Sequence, residues 1–176
     1  MAVNGALAVT GRARLPWRGA RIQSPVPPSP VAVDIRILGP DDGAMLERVD
    51  PEVFDEGVDA RWSAEFLADP RHHLAVAIDG GVVVGMASGV HYVHPDKPPE
   101  LWINEVGVAP SHHRRGIGKR LLDALFARAR GLGCGEAWVL TETGNTAARA
   151  LYAAAGGEEA DPPPVMVTFR LDAPAS

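Results

Sequence analysis

The clearest hydrophobic pattern of the chain lies in residues 101–130. An apolar-rich run, LWINEVGV, predicts a strand over residues 101–108, and a turn follows it. After residues 114–119, RRGIGK, apolar side chains recur at three- and four-residue steps with charged residues mostly between them. The recurring positions are Leu121, Leu122, Leu125, Phe126 and Ala129. This spacing predicts an amphipathic helix, so the region is expected to form a strand, a loop and a helix.

Patterns before this region predict three further strands and two helices. Residues 32–38 alternate apolar and polar, as a half-buried strand does. Residues 74–78 and 82–93 flank Asp-Gly-Gly, which is typical of a hairpin. A short helix is predicted after residues 39–42, GPDD, with one of the two aspartates as its cap, and a second helix within residues 59–67.

Patterns after the central helix complete the predicted fold. Residues 136–141 predict a buried strand, and residues 147–155 predict a helix that Gly156-Gly157 ends. A final strand is predicted over residues 165–171. Strands that alternate with helices and are flanked by hairpins indicate a mixed α/β sheet.

Composition indicates a single globular domain. The chain has 176 residues, of which 46% are apolar and 22% charged. Residues 1–31 are rich in Pro, Gly, Ala and Arg without periodicity, so we predict a flexible extension there and one domain over residues 32–176. The extension lacks the apolar core of a secretory signal, and its likeness to a transit peptide is weak. No apolar run approaches the roughly 18 residues of a membrane span, and the single cysteine, Cys134, agrees with a cytoplasmic location.

Charge argues against a nucleic-acid partner. The net charge is −5, but residues 1–33 hold four arginines and no acid, so the rest of the chain carries a net charge of −9. Nucleic-acid-binding domains need basic surfaces. An acidic domain instead suits a cationic small molecule, which its field attracts.

The loop before the central helix has the chemistry of an anion site. Gly116 and Gly118 allow a tight turn and close approach of a ligand to the backbone, and the helix that follows leaves its first N–H groups unpaired. These N–H groups and the side chains of Arg114, Arg115 and Lys119 are expected to converge on one small volume. A diphosphate would fit there, although two glycines and basic residues also begin ordinary helices.

Residues 112–125, HHRRGIGKRLLDAL, resemble the acetyl-CoA signature of the GNAT N-acetyltransferases. His113 stands at the first signature position, where the family has Gln or Arg. Asn145 and Tyr152, seven residues apart, resemble the family's second signature. The resemblance implies a mixed, mostly antiparallel central sheet flanked by helices. It also implies that two parallel strands splay apart at the acetyl-CoA site, with a bulge at Gly107.

The resemblance also assigns residues to acetyl-CoA, the implied cosubstrate. The backbone of Val106 and Val108 would pair with the pantetheine, and Asn145 would bond it or position its own helix. The pyrophosphate would rest on residues 113–119, which are His113, Arg114, Arg115, Gly116, Ile117, Gly118 and Lys119.

Glu105 and Tyr152 are the candidate catalytic residues. Most acceptor amines are protonated at pH 7, so a carboxylate near the thioester is needed to bind the ammonium and remove its proton. Glu105 occupies the matching acidic position, and Tyr152 would protonate the departing thiolate. The alternatives are that Glu105 is an ordinary exposed strand residue and that Tyr152 packs in the core. Direct attack on the thioester needs no covalent enzyme intermediate.

Within the family, residues 91–118 look like the aminoglycoside 3-N-acetyltransferases. The predicted substrate is therefore a small-molecule amine, favoured to be an aminoglycoside, with resistance to that antibiotic as the outcome. The expected acceptor contacts are Asp55, Glu56, Tyr92, Glu105 and Glu142. The helical region around residues 52–62 would form one wall of the cleft, although a solvated helix face is the simpler interpretation. A homodimer is possible by the same resemblance.

Other functions remain as alternatives. The same reaction on a polyamine, a peptide or a small metabolite is one, and a non-catalytic acyl-CoA-binding module is another. A nucleotide-binding module is disfavoured because the loop lacks both GxxxxGKS and GxGxxG. A metal site is not expected, because the paired histidines lack supporting Cys or carboxylate spacing.

Overall fold

The computed structural model describes residues 32–171, so the predicted extension over residues 1–31 lies outside the described part of the chain. Five strands form one sheet in the order β1-β2-β3-β4-β5. They are β1 (Asp34–Ile37), β2 (His72–Asp79), β3 (Val82–Tyr92), β4 (Glu100–Val108) and β5 (Glu136–Val139). The first three pairings are antiparallel and the β4–β5 pairing is parallel, which confirms the mixed, mostly antiparallel sheet.

Helices cover both faces of the sheet. They are α1 (Ala60–Ala68), α2 (Ile117–Gly131) and α3 (Thr146–Ala154), and a 3-10 turn occupies Gly43–Glu47. Successive side chains of β2 point to opposite faces of the sheet, so they belong to two separate parts of the core. Ala75 and Ala77 pack with α2, whereas Leu74 and Val76 pack with the 3-10 turn and α1. No helix in residues 32–171 is long and apolar enough to cross a membrane.

Two predicted strands differ from the structure. Strand β5 ends at Val139 rather than at residue 141. Residues 165–171 form no strand, and their apolar side chains are exposed, as Val165 and Phe169 show. Alternating apolar residues specify a strand when a neighbouring strand and a covered face are available, and this segment has neither in the described part of the chain.

The predicted cap of the first helical segment also differs. Asp42 precedes the 3-10 turn, but its carboxylate makes no cap hydrogen bond to it. Instead it accepts a hydrogen bond of 2.7 Å from the N–H of Gly39, which closes the turn after β1.

The irregularity in β4 lies at Asn104 rather than at Gly107. Ser88 pairs with Glu105 whereas Gly89 pairs with Ile103, so Asn104 is the extra residue of a bulge. Gly107 has a different role, because a Cβ built on it would lie 2.2 Å from the carbonyl oxygen of Val53. Its lack of a side chain allows the segment before α1 to cross β4 at close range.

We expect Gly107→Ala to lower the free energy of unfolding by about 3 kcal/mol, because the clash is with backbone that must move as a unit. Urea unfolding measures the change. Gly131→Ala is the matched control: its Cβ meets no atom within 4 Å, and alanine is the better helix former. Equal stability of the two variants would contradict the close approach.

A buried histidine pair makes the fold sensitive to acid. His73 is 2% exposed and its Nε2 lies 2.9 Å from Nδ1 of His91. Burial, with the nearby His91 and Arg128, lowers the pKa of His73 from 6.5 to about 4. Between pH 6.5 and pH 4 the unfolded chain therefore binds a proton at this residue that the native state does not bind. The free energy of unfolding is unaffected by this group above pH 6.5 and decreases as pH falls from 6.5 towards 4.

Between pH 7 and pH 5 we expect this group to reduce the free energy of unfolding by about 2 kcal/mol, measured by urea titration. His73→Gln should be less stable at pH 7 but should lose this part of the pH dependence. The same slope in wild type and variant would show that another group is responsible.

Candidate active site

The candidate site begins where the pairing of β4 with β5 ends. Residues Glu100–Ile103 of β4 pair with Glu136–Val139 of β5, but β4 continues to Val108. Over residues 104–108, β4 has no partner on this side within the described chain. A gap therefore opens between the two parallel strands at the carboxyl end of β4.

The backbone of Val106 and Val108 faces this gap. The N–H of Ala109 donates to the carbonyl oxygen of Val84 at 2.9 Å, which fixes the phase of the β3–β4 ladder. Hydrogen-bonded pairs alternate in an antiparallel ladder. Val108, paired with Gly85, and Val106, paired with Ala87, therefore direct their N–H and C=O groups away from β3. An extended chain bearing amides could pair with this edge.

His113 closes one end of the exposed edge. Its Nε2 lies 2.6 Å from the carbonyl oxygen of Val108, and because a carbonyl oxygen only accepts, Nε2 donates there. The bond ties the loop before α2 to the end of β4. The side chain at the first signature position thus has a structural partner, while Val106 keeps its polar backbone groups available to a ligand.

The loop before α2 is shaped for an anion. Arg114 and Gly116 both have left-handed backbone, with φ of 60° and 73°. Gly116 is the N-cap and brings no side-chain acceptor to the first N–H groups of α2. A Cβ on Gly116 would meet no atom within 4 Å, so the space beside it is open. Ile117 is 2% exposed and anchors this end of the helix in the core.

The basic side chains of the loop are exposed but partly engaged. Arg115 lies 3.7 Å from a carboxylate oxygen of Asp79, which His112 also contacts at 3.1 Å. Lys119 bonds both oxygens of Asp123, one turn along α2, at 3.0 and 2.8 Å. Exposed pairs of this kind are weak, so an incoming phosphate can compete for the cations.

Gly118 has a part in helix packing. A Cβ there would lie 3.1 Å from a methyl carbon of Leu151, so the glycine allows α3 to pack closely against α2. Its contact with the pyrophosphate stays a prediction.

The second signature lies on α3. The side-chain oxygen of Asn145 accepts from the N–H of Ala148 at 3.1 Å, so Asn145 caps the helix and positions it. Tyr152 is half-buried against the core between α2 and the sheet, and burial raises the pKa of its hydroxyl. Tyr152 therefore remains protonated at neutral pH.

The opposite face of the sheet holds a cavity of about 400 Å³. Aromatic side chains and carboxylates share its wall, and Leu74 and Ser88 form part of its floor on the sheet. The aromatic and acidic members are Phe54, Trp62, Phe66, Asp55, Glu56, Asp59 and Glu105. Such a wall suits an organic cation.

Glu105 connects this cavity to the gap. It is half-buried and pairs with Ser88 at the residue after the bulge. Burial first, and then the nearby carboxylate of Asp55, raise the pKa of Glu105 above its ordinary value, while a hydrogen bond from the Asp55 backbone opposes them. A carboxylate with a raised pKa is a better proton acceptor at neutral pH.

The structure brings together some of the predicted acceptor contacts. Asp55, Glu56 and Glu105 line the cavity together. Tyr92 lies outside its lining and bonds Glu100 and Trp138, and Glu142 lies exposed in the turn before α3.

Sequence reasoning did not select Ser88, whereas Asp59 and Trp62 belong to the helical region that was predicted to form one wall of the cleft. Asp59 caps α1 through two hydrogen bonds of 2.9 Å. Ser88 could have been noticed as a small polar residue within a long apolar strand. Residues 32–171 contain no cluster of three or more His, Cys, Asp or Glu side chains that could hold a metal ion.

Two characterised relatives are similar in sequence. The chain is 40% identical over 90 residues to the N-alpha-acetyltransferase RimI of Mycobacterium tuberculosis. The matched stretch covers 51% of this chain and 54% of RimI. The chain is 36% identical over 120 residues to the L-2,4-diaminobutyric acid acetyltransferase of Streptomyces coelicolor, covering 63% and 66%. The chain thus spans less than two thirds of the length of each relative.

Solved structures share the fold. An aminoglycoside acetyltransferase from an uncultured soil metagenomic sample, meta-AAC0020 in complex with sisomicin, superposes with a TM-score of 0.68 at 20% identity, over 80% of this chain and 97% of its own. The aminoglycoside N-acetyltransferase AAC(6')-Iy in complex with CoA superposes with a TM-score of 0.63 at 23% identity, over 80% of this chain and 95% of its own.

The family assignment rests on most of the described chain. A model of the acetyltransferase (GNAT) family matches residues 43–156, which include both signatures, the gap between β4 and β5 and the acidic cavity. The resemblance of the sequence to the GNAT N-acetyltransferases is thereby confirmed. The chain belongs to the acetyltransferase (GNAT) family, whose cosubstrate is acetyl-CoA.

Proposed function

We propose that the protein transfers an acetyl group from acetyl-CoA to a primary amine of a multiply charged small molecule, with an aminoglycoside as the favoured acceptor. The observation that carries the proposal is the position of Glu105. Its carboxylate lies in an acidic, aromatic cavity and beside the unpaired edge of β4. Acceptor and donor would therefore meet at one residue.

The donor would bind along the gap. The polar backbone groups of Val106 would pair with the pantetheine, and the N–H groups at the start of α2 would hold the pyrophosphate with Arg114 and Arg115. Residues 112–119 form one continuous loop and helix start, so a single segment supplies both the cations and the oriented N–H groups.

The acceptor would bind as an ammonium ion between carboxylates of the cavity wall. Glu105 would accept one proton from it, directly or through water, and the neutral nitrogen would attack the thioester carbonyl carbon. As the C–N bond forms and the C–S bond breaks, the sulfur would leave with the bonding electron pair, and the new amide nitrogen would lose its second proton to water. Tyr152 would supply the proton that this thiolate takes up, since its raised pKa keeps the hydroxyl protonated. Exchange of protons with water would then return Glu105 to its carboxylate form and Tyr152 to its hydroxyl form.

An aminoglycoside is favoured because the cavity combines carboxylates with aromatic rings, and because the two aminoglycoside acetyltransferases share the fold. The 3-amino group remains the predicted position. One of the structural neighbours is named for the 6' position, so the product must be mapped.

A second candidate acceptor is a peptide N-terminus. It is favoured by the 40% identity to an N-alpha-acetyltransferase over 90 residues. The acidic wall would then bind the terminal ammonium, and the aromatic side chains would contact the first residues of the peptide.

Release of free CoA thiol from acetyl-CoA tests the acceptor. The purified protein is assayed with gentamicin, kanamycin, spermidine, a lysine peptide and a peptide with a free N-terminal alanine. We expect turnover with the aminoglycosides, and mass spectrometry with NMR should place the acetyl group on the 3-amino nitrogen. Turnover confined to the alanine peptide would establish the second candidate instead.

Glu105→Gln should lower kcat/KM by about 10² to 10⁴, the usual contribution of a general base. In the wild type, activity should rise as pH increases through the pKa of Glu105, above the ordinary carboxyl value of 4.5. The variant should lose this limb of the pH profile while it still binds CoA.

Glu65→Gln is the matched control, because Glu65 is exposed on α1 and does not line the cavity. Its kcat/KM and pH profile should match the wild type. Full activity of Glu105→Gln would remove the assigned base.

A further inference from the structure

A second aromatic surface lies on the same face of the sheet as the acceptor cavity but outside it. Trp102 of β4 pairs with Trp138 of β5, and their rings stack with centroids 5.3 Å apart and planes 9° from parallel. Trp102 remains 40% exposed. Two indoles that stack flat on each other, with one of them 40% exposed, present an aromatic surface on the sheet, and we call the pair the indole platform.

The strand register places the platform next to the cavity. Leu74, Ser88 and Glu105 are paired across β2, β3 and β4 and form one row of the cavity. The next row on the same face holds His72, Val90, Trp102 and Trp138. Neighbouring rows of one face are about 7 Å apart, and the bulge at Asn104 adds a residue between them on β4.

The cavity wall and the platform row also touch. Phe66 lines the cavity, and its ring stacks on His72 with centroids 4.7 Å apart. The aromatic wall of the cavity therefore continues into the row of Trp102 without an intervening charged side chain in that row.

A polar network fixes the platform in place. The indole N–H of Trp138 donates to the Tyr92 hydroxyl at 2.9 Å, and that hydroxyl donates to Glu100 at 2.7 Å. Glu100 is nearly buried and forms an ion pair with Lys97. The hydrogen bonds from Lys97 and then Tyr92 hold the pKa of Glu100 well below its ordinary value, so the carboxylate stays ionised. These hydrogen bonds hold the side chains of Trp138, Tyr92 and Glu100 in fixed orientations.

This network gives Tyr92 a role that differs from direct substrate contact. Its hydroxyl is engaged on both sides by Trp138 and Glu100. Tyr92 is a positioning residue that sets the angle of Trp138, and Trp138 in turn supports the ring of Trp102.

We propose that the indole platform is a second acceptor subsite, in which Trp102 stacks against the aminated sugar ring next to the ring that is acetylated. This inference rests on the proposed function. An aminated sugar ring presents C–H groups and an ammonium, and both are attracted to an indole face. One row of separation from Glu105 matches the neighbouring ring of the same molecule, and the cavity carboxylates would hold the reacting ring beside it.

The test compares two acceptors that share the reacting ring. Kanamycin has three rings, and 2-deoxystreptamine is its central aminated ring alone. Binding of each is measured by calorimetry on protein saturated with CoA, and turnover is measured separately. Trp102→Ala should weaken kanamycin binding about tenfold, and weaken 2-deoxystreptamine binding less than twofold. Trp102→Phe should retain most of the kanamycin affinity, because an aromatic face remains.

Tyr92→Phe tests the support of the platform. It removes the hydroxyl that Trp138 donates to, so it should weaken kanamycin binding several-fold without a matching change for 2-deoxystreptamine. Thermal melting of each variant shows whether the fold is intact.

The outcomes separate the two proposals. Equal weakening of both acceptors, no weakening of kanamycin by Trp102→Ala, or no binding of kanamycin to the wild type would overturn the subsite. Platform-dependent kanamycin binding without acetylation would support the subsite and refute the proposed function. Acetylation of kanamycin that is indifferent to Trp102 would support the function and overturn the subsite.

Discussion

The difference in length between two paired strands is the constraint on which the site depends. Strand β5 ends at Val139, while β4 continues to Val108. A strand edge with unpaired N–H and C=O groups needs hydrogen-bond partners, and here water, a ligand or residues beyond the described chain can supply them. The constraint also fixes where chemistry can occur, because Glu105 is two residues beyond the last paired position of β4.

In the proposed function, the sheet would separate the two substrates and join them at one residue. The loop before α2, α2 itself and α3 pack on one face, and the acidic, aromatic cavity lies on the other. Basic side chains lie beside the loop, and carboxylates lie in the cavity. Each substrate would therefore be attracted to its own side by charge, and the donor and acceptor ends would meet at the gap beside β4.

Local patterns predicted most of the fold and the strand, loop and helix proposed to bind the donor. The strand, loop and helix of residues 101–130 follow from periodicity and from glycine and basic residues in one continuous segment. The final strand over residues 165–171 was wrong because alternation specifies a strand only where a partner strand and a covered face exist. The pattern within the segment contains no information about that partner.

The remaining differences come from contacts between distant residues. Val53 and Leu151 pass close to Gly107 and Gly118, and neither neighbour can be inferred from local sequence. Tyr92 was predicted to contact the substrate, and the hydrogen bond of its hydroxyl with Trp138, 46 residues away, was not predicted. The acceptor cavity required the same kind of information, since it combines the segment before α1 with the middle of β3 and β4.

The most direct test of the account is whether CoA binds the unpaired edge of β4. Backbone amide NMR of the labelled protein, with and without CoA, would follow each N–H group. The account predicts large shifts and slowed hydrogen exchange at Val106, with shifts at residues 116–119 of the α2 start. Saturable binding that shifts other residues while Val106 and the start of α2 keep their free-state signals would contradict it.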